Sequence, residues 1–144
     1  MSTEQSAPPR PQGDYVPAVF DDGLVYTAGM TPRRDGVLTV RGVVGSSVSL
    51  EQARDAARLA AGNALAAARS ALPDGATRLR CLRMTVYVAC TPDFHDLSRV
   101  ADGASAAISA TLGSAALPAR AAIGVQSLPS GAPVEVELVA RALA

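Results

Sequence analysis

Between Ser49 and Pro73 the chain carries a stripe made almost entirely of alanine. Leu50, Ala53, Ala57, Ala60, Ala61, Ala64, Ala68 and Leu72 recur at helical spacing, while Arg54, Asp55, Arg58 and Arg69 lie largely off the stripe. Ser49 stands at the N-cap with Gln52 in the capping-box position, and Pro73-Asp74-Gly75 ends the segment. An alanine face projects single methyl groups, so this helix must lie close to its partner, and a sheet suits that approach. The strands of such a sheet are looked for in the flanking sequence.

The flanking sequence supplies them. Residues 15–20 and 24–28 read as two short strands joined by the turn Asp21-Asp22-Gly23. Gly29, Pro32 and Arg34-Asp35-Gly36 mark a loop, and residues 37–44 offer another extended piece. Residues 78–90 form a long strand with Leu79, Cys81, Arg83, Thr85, Tyr87 and Ala89 on one face. Thr91 as cap and Pro92 at the first helical position open a second helical region, with Gly103 as an interruption and Gly113 as its end. Residues 119–126 and 134–142 are the last strands, joined through Leu128-Pro129-Ser130-Gly131. The expected fold is α+β, in the order β-β-(β)-α-β-α-β-β, with two helices packed on one face of a mixed sheet. Residues 1–12, with Pro8, Pro9 and Pro11 among polar residues, read as a flexible tail, and 13–144 as one domain. Two helices cover only one side of such a sheet. Its other face is neither plainly apolar nor plainly charged, which predicts a homo-oligomer.

Composition removes several classes of function. All 13 basic residues are arginine and 13 acids balance them, so the basic excess of a nucleic-acid binder is missing. No run of about 18 apolar residues exists, and the first residues lack a signal peptide's basic and apolar regions. A cytoplasmic protein without membrane contact is expected. Cys81 and Cys90 stand nine apart in one strand, which places them on opposite faces, and His95 has no ligand-spaced neighbours. No metal or cofactor is expected.

Several short motifs, taken together, resemble one family. Gly13-Asp14-Tyr15 precedes the first strand, and Tyr26-Thr27-Ala28-Gly29-Met30-Thr31-Pro32 follows the second. Val86-Tyr87-Val88 leads to Asp93-Phe94, and Pro118-Ala119-Arg120 is followed by Leu128-Pro129 and Val134-Glu135-Val136-Glu137. In this order the motifs are similar to the RidA (YjgF-type) reactive-intermediate deaminases over residues 13–142. The resemblance implies a chorismate-mutase-like fold assembled as a homotrimer, with a ligand cleft at each subunit interface. It implies cofactor-independent hydrolysis of 2-imino and 2-enamino acids to 2-keto acids and ammonia. Arg120 would hold the substrate carboxylate, Glu135 and the carbonyl of Ala122 would place water, and Tyr15 would line the cleft. Ala28 and Met30 stand where the archetype has serine and glutamine, and Ala122 replaces a common cysteine. With the stretches 42–45 and 102–105, these departures mark a divergent branch.

Such chemistry asks little of a protein. A protonated imine is already electrophilic, guanidinium matches a carboxylate through two parallel hydrogen bonds, and orientation with a weak base supplies the rest. The same cleft also fits a protein that holds a small carboxylate without turnover, or a catalyst of specialised metabolism in which Ala28 and Met30 make room for a larger substrate. An older family label is ribonuclease or translation inhibitor. Balanced charge and only three tyrosines, two phenylalanines and no tryptophan argue against it.

Plainer roles stand beside the functional ones. Arg120 could pair with a neighbouring acid, Glu135 could lie on a solvated face, and Tyr15 could be a packed aromatic. His95 reads as a surface residue, Arg33 and Arg34 as a solvated turn, and Cys81 and Cys90 as small buried groups. If the last two strands form a hairpin, Arg120 falls opposite residue 140, about 16 Å along the strand from Glu135. Two subunits would then be needed to bring both side chains onto one small ligand.

Overall fold

The computed structural model describes residues 8–74, 76 and 78–143. The tail expected over residues 1–12 lies, as far as residue 7, outside the described residues.

Helix α1 spans Leu50–Ser70 and begins as its sequence dictates. Ser49 Oγ accepts from the Gln52 amide and Gln52 Oε1 accepts from the Ser49 amide, at 3.1 and 2.9 Å. Its alanine face is buried from Ala53 to Ala68. Helix α2 spans Leu97–Leu112 and is continuous through Gly103. The break expected at Gly103 is absent because that glycine serves the packing of α1 on α2. A Cβ there would stand 2.0 Å from the carbonyl oxygen of Arg54. Thr91 and Pro92 do not start α2 either. The Phe94 amide donates to the Thr91 carbonyl in a turn, and the helix begins only after Asp96.

The strands are β1 (Ala18–Asp21), β2 (Leu24–Thr27), β3 (Arg33–Arg34), β4 (Val37–Leu38), β5 (Arg78–Ala89), β6 (Ala119–Val125) and β7 (Val134–Leu143). Five of them form one mixed sheet in the order β1-β2-β7-β5-β6. Asp22 and Gly23, both at positive φ, turn β1 into β2. Asp35 and Gly36 do the same for the small β3–β4 hairpin, which occupies the start of the extended piece expected over 37–44.

Two sequence expectations fail in the sheet. The last two strands are not a hairpin: β5 lies between them, parallel to β6 and antiparallel to β7. Strand β5 also does not keep one face. A register shift between Cys81 and Arg83 inserts an extra residue, so Leu79 and Cys81 share the helix side with Met84, Val86 and Val88. Beyond this bulge Arg83, Thr85 and Tyr87 turn to the open side. Cys90 follows the same parity as Met84, Val86 and Val88, with its sulfur near Gly124 and Leu97. The two cysteines therefore share a face after all. About 30 Å of strand keeps them apart, and both are free thiols.

The core lies between the helices and one face of the sheet, where Val25, Met84, Val86, Val88, Val134, Val136, Leu138 and Ala140 meet α1 and α2. Each fully buried aliphatic side chain there contributes about 1.5–3 kcal/mol. On the opposite, open face Val19, Tyr26 and Ile123 are large apolar residues left exposed.

The α1–α2 contact gives a direct test. Helix propensity alone predicts that Gly103→Ala stabilises by about 1 kcal/mol. The close Arg54 carbonyl reverses that sign, and we expect a loss of about 3 kcal/mol. A lower urea midpoint at unchanged m-value measures it.

Candidate functional site

Arg120 lies on β6 at the edge of the sheet. It is paired in register with the buried Met84, so its side chain points to the helix side. There α2 presents Ser98, Asp102 and Ser105, spaced four and three residues apart on one helical stripe. Arg120 Nη1 donates to Asp102 Oδ1 at 2.9 Å and to Ser105 Oγ at 2.8 Å. Nη2 donates to Ser98 Oγ at 2.7 Å and to the Ser98 carbonyl at 3.3 Å. The plainer expectation for Arg120, an ion pair with a neighbouring acid, is thus realised within the chain. Sequence reading missed these three partners. Their helical spacing ahead of an arginine strand was the available signal.

Glu135 lies on β7, between the buried Val134 and Val136, and so projects onto the open face. It is half-buried because the chain after β2 runs over it. Met30 and Val136 exchange backbone hydrogen bonds at 2.8 Å, and a Cβ on Gly29 would meet the Glu135 carboxyl carbon at 2.6 Å. A side chain at residue 29 would push the Glu135 carboxyl aside. Burial pushes the Glu135 carboxyl above the usual carboxylate range, and the neighbouring Glu137 adds to the shift. Such a carboxyl takes up a proton more readily than an exposed one.

Glu137 belongs to the same face. Tyr87 donates its phenolic proton to Glu137 Oε1 at 2.8 Å, and this bond, followed by burial, holds the phenol above its ordinary pKa. Glu137 also borders a cavity of about 240 Å³, together with Tyr26, Thr27, Arg83, Thr85 and Val139.

The other expected residues are dispersed. Met30 is buried in the core and Ala28 packs against it, so the residue of that loop facing Glu135 is Gly29. Ala122 shares the helix side with Arg120 and packs against the core. Its strand is two strand spacings, about 10 Å, from that of Glu135. Tyr15 is exposed ahead of β1, at the sheet edge opposite β6, and its hydroxyl accepts from the Gln12 amide at 3.0 Å. Four strand spacings, about 19 Å, separate those edges. Arg120 and Glu135 lie on opposite faces of the sheet, and this alone keeps them off one small ligand within a single chain. The hairpin geometry that the sequence offered for the same separation does not occur.

Of the secondary candidates, Arg33 has a structural role. Arg33 braces its own hairpin through Thr31, Gly36 and Ser130, and Arg34 and His95 are exposed. Burial raises the Cys81 thiol to about 11, against a smaller opposing effect of Arg69, so that thiol stays protonated at neutral pH. No cluster of potential metal ligands occurs among the described residues. No helix among them is long and apolar enough to cross a membrane.

This fold and these motifs have known counterparts. The family described as Endoribonuclease L-PSP matches residues 5–142, and the chain belongs to it. This is the YjgF/RidA family that the motifs resemble, and the two helices on a mixed sheet match the YjgF fold. Protein TCP17 of Trypanosoma cruzi is 33% identical over 128 residues, covering 88% of this chain and 80% of the relative. Atu1372 of Agrobacterium tumefaciens, a crystal structure of unknown function, is 35% identical with a TM-score of 0.85. That match covers 91% of this chain and 83% of the other. TdcF of E. coli, solved with bound serine, is 25% identical with a TM-score of 0.66, covering 95% and 94%.

The Glu135 environment predicts a pH effect. A carboxyl whose pKa is raised on folding binds its proton more tightly folded than unfolded. Its contribution is therefore favourable at acid pH and is lost as pH rises from the ordinary carboxylate value through the raised one. We expect Glu135→Gln to melt above wild type at pH 7. The difference should close as both are titrated below the ordinary carboxylate range, as followed by thermal denaturation across pH.

Proposed function

We propose that the protein hydrolyses a small 2-imino or 2-enamino acid to a 2-keto acid and ammonia, without a cofactor. The cleft is completed by further copies of the chain in a homotrimer. The observation that carries this reading is the Glu135 carboxyl, half-buried under Gly29 with raised proton affinity, in a chain of the YjgF/RidA family.

The chemistry follows from these groups. Arg120 from one subunit holds the substrate carboxylate, and Tyr15 lines the cleft. Water, placed by Glu135 and the Ala122 carbonyl, attacks the carbon of the protonated imine. Its C–O bond forms as the C=N π pair moves to nitrogen, and Glu135 accepts the proton water loses. Glu135 returns that proton to nitrogen, the C–N bond breaks, and ammonia leaves as the hydroxyl gives its own proton to Glu135 and collapses to the ketone. Half-burial of Glu135 holds its basicity nearer neutrality than that of an exposed acid.

Arg120 and Glu135 converge only if two subunits contribute. The exposed Val19, Tyr26 and Ile123 support the open face as the surface for a second copy. We expect sedimentation to give three chains per particle, and Ile123→Arg to release monomers without activity. A fully active monomer overturns the shared cleft.

A second reading is favoured by TdcF, whose crystal structure holds serine. The same cleft would then bind a small carboxylate without turning it over.

One experiment separates turnover from binding. A dehydratase generates 2-aminoacrylate or 2-iminobutanoate in situ, and keto-acid release is followed with wild type and Arg120→Ala. Wild type should accelerate release, and the variant should lose about 10–100-fold in kcat/KM, the worth of a charge-assisted clamp. If neither accelerates release but 2-oxobutanoate raises the Tm of wild type alone, the binding reading holds.

A further inference from the structure

Arg120 already has an anion. A guanidinium carries five N–H donors, two on each terminal nitrogen and one on Nε. The two terminal nitrogens make four hydrogen bonds to α2, two each, through Ser98, Asp102 and Ser105. A carboxylate that docks side-on needs two parallel N–H groups, and either edge it could use includes a terminal nitrogen. An incoming carboxylate must therefore displace at least one of the bonds to α2.

The Nε–Nη2 edge is held by Ser98 alone, whereas on the Nη1–Nη2 edge charge and exposure make the Asp102 bond the one that yields. Ser98 and Ser105 are neutral, and their bonds of 2.7 and 2.8 Å leave the arginine's charge uncompensated. Asp102 is the anion of the set, and its side chain is 55% exposed while that of Arg120 is 22% exposed. A displaced Asp102 returns to water at little cost, because it never left most of its hydration. The serines, in contrast, hold the guanidinium plane through both terminal nitrogens.

We infer that Asp102 is a built-in competitor for the guanidinium of Arg120, and that it sets how strongly this site takes a substrate carboxylate. Ser98 and Ser105 act as positioning residues. The inference rests on the reading that Arg120 receives a carboxylate. It adds an affinity threshold: every carboxylate bears the same cost of displacing Asp102, so only one with further contacts in the cleft binds appreciably at low concentration. The predicted ligand class is accordingly a carboxylate with a second anchoring group, such as the imine or enamine nitrogen.

Opposite signs make the test decisive. Binding of 2-oxobutanoate is titrated calorimetrically to wild type, Asp102→Asn, Ser98→Ala and Arg120→Ala. Asp102→Asn should bind about fivefold more tightly at low salt, the worth of an exposed ion pair, with the gain shrinking as salt is added. Ser98→Ala should bind more weakly. A merely structural role for α2 would shift both variants the same way, and that result, or unchanged affinity in Asp102→Asn, overturns the inference. Wild type alone gives an independent readout. The 13C resonance of the Asp102 carboxyl should move during the titration with the calorimetric midpoint, and a stationary resonance overturns the inference even if the variant does not fold. Undiminished binding by Arg120→Ala marks a different failure, that of the carboxylate reading itself.

Discussion

Two helix backbones meet where Gly103 lies against the Arg54 carbonyl, and the arrangement of the molecule follows from how close they come. No side chain fits at that crossing, and the alanine face of α1 allows a similarly close approach to the sheet. Helices packed this tightly cover one face of the five strands and leave the other face to solvent or to another chain. The core is correspondingly thin, built from valine, alanine and methionine with few large side chains. Its stability depends on close contact more than on side-chain volume, which is why one added methyl at Gly103 is expected to outweigh a gain in helix propensity.

The sheet then acts as a partition between the groups that could do chemistry. Arg120 faces α2 with its terminal N–H groups engaged, while Glu135 faces outward beneath Gly29. Each is prepared in a different way. The arginine is oriented by two serines and compensated by Asp102, and the glutamate is raised in proton affinity by loss of water. Neither needs the other for its local state. A reaction that uses both needs the exposed apolar face to bring a second chain alongside, so assembly and activity would be gained or lost together.

Much of this was legible in the residues. The Ser49–Gln52 cap, the length of α1, the turn at Asp22-Gly23 and the alternation of β7 are short-range features, and each appears where its local chemistry placed it. Errors arose where a longer-range contact overrode a local signal. Thr91-Pro92 has the composition of a helix start, yet the chain must first turn back beside Val44 before α2 can lie on α1. Gly103 has the composition of a break, yet it makes room for the Arg54 carbonyl of the neighbouring helix. Parity along β5 assigned Cys81 and Cys90 to opposite faces, and one bulge residue reversed that.

The site was legible by residue type but not by arrangement. Motif order, through the family it resembles, singled out Arg120 and Glu135 as the groups worth attention. Their separation to opposite faces depended on β5 lying between β6 and β7, a pairing across distant parts of the chain that no local pattern encodes. The same holds for the partners of Arg120. Ser98, Asp102 and Ser105 are ordinary surface residues on a helix until packing sets that helix over β6. Amino-acid type establishes which groups can carry charge or accept a proton, because that is a property of the side chain. Which groups meet, and how much water each retains, is a property of the packed structure alone.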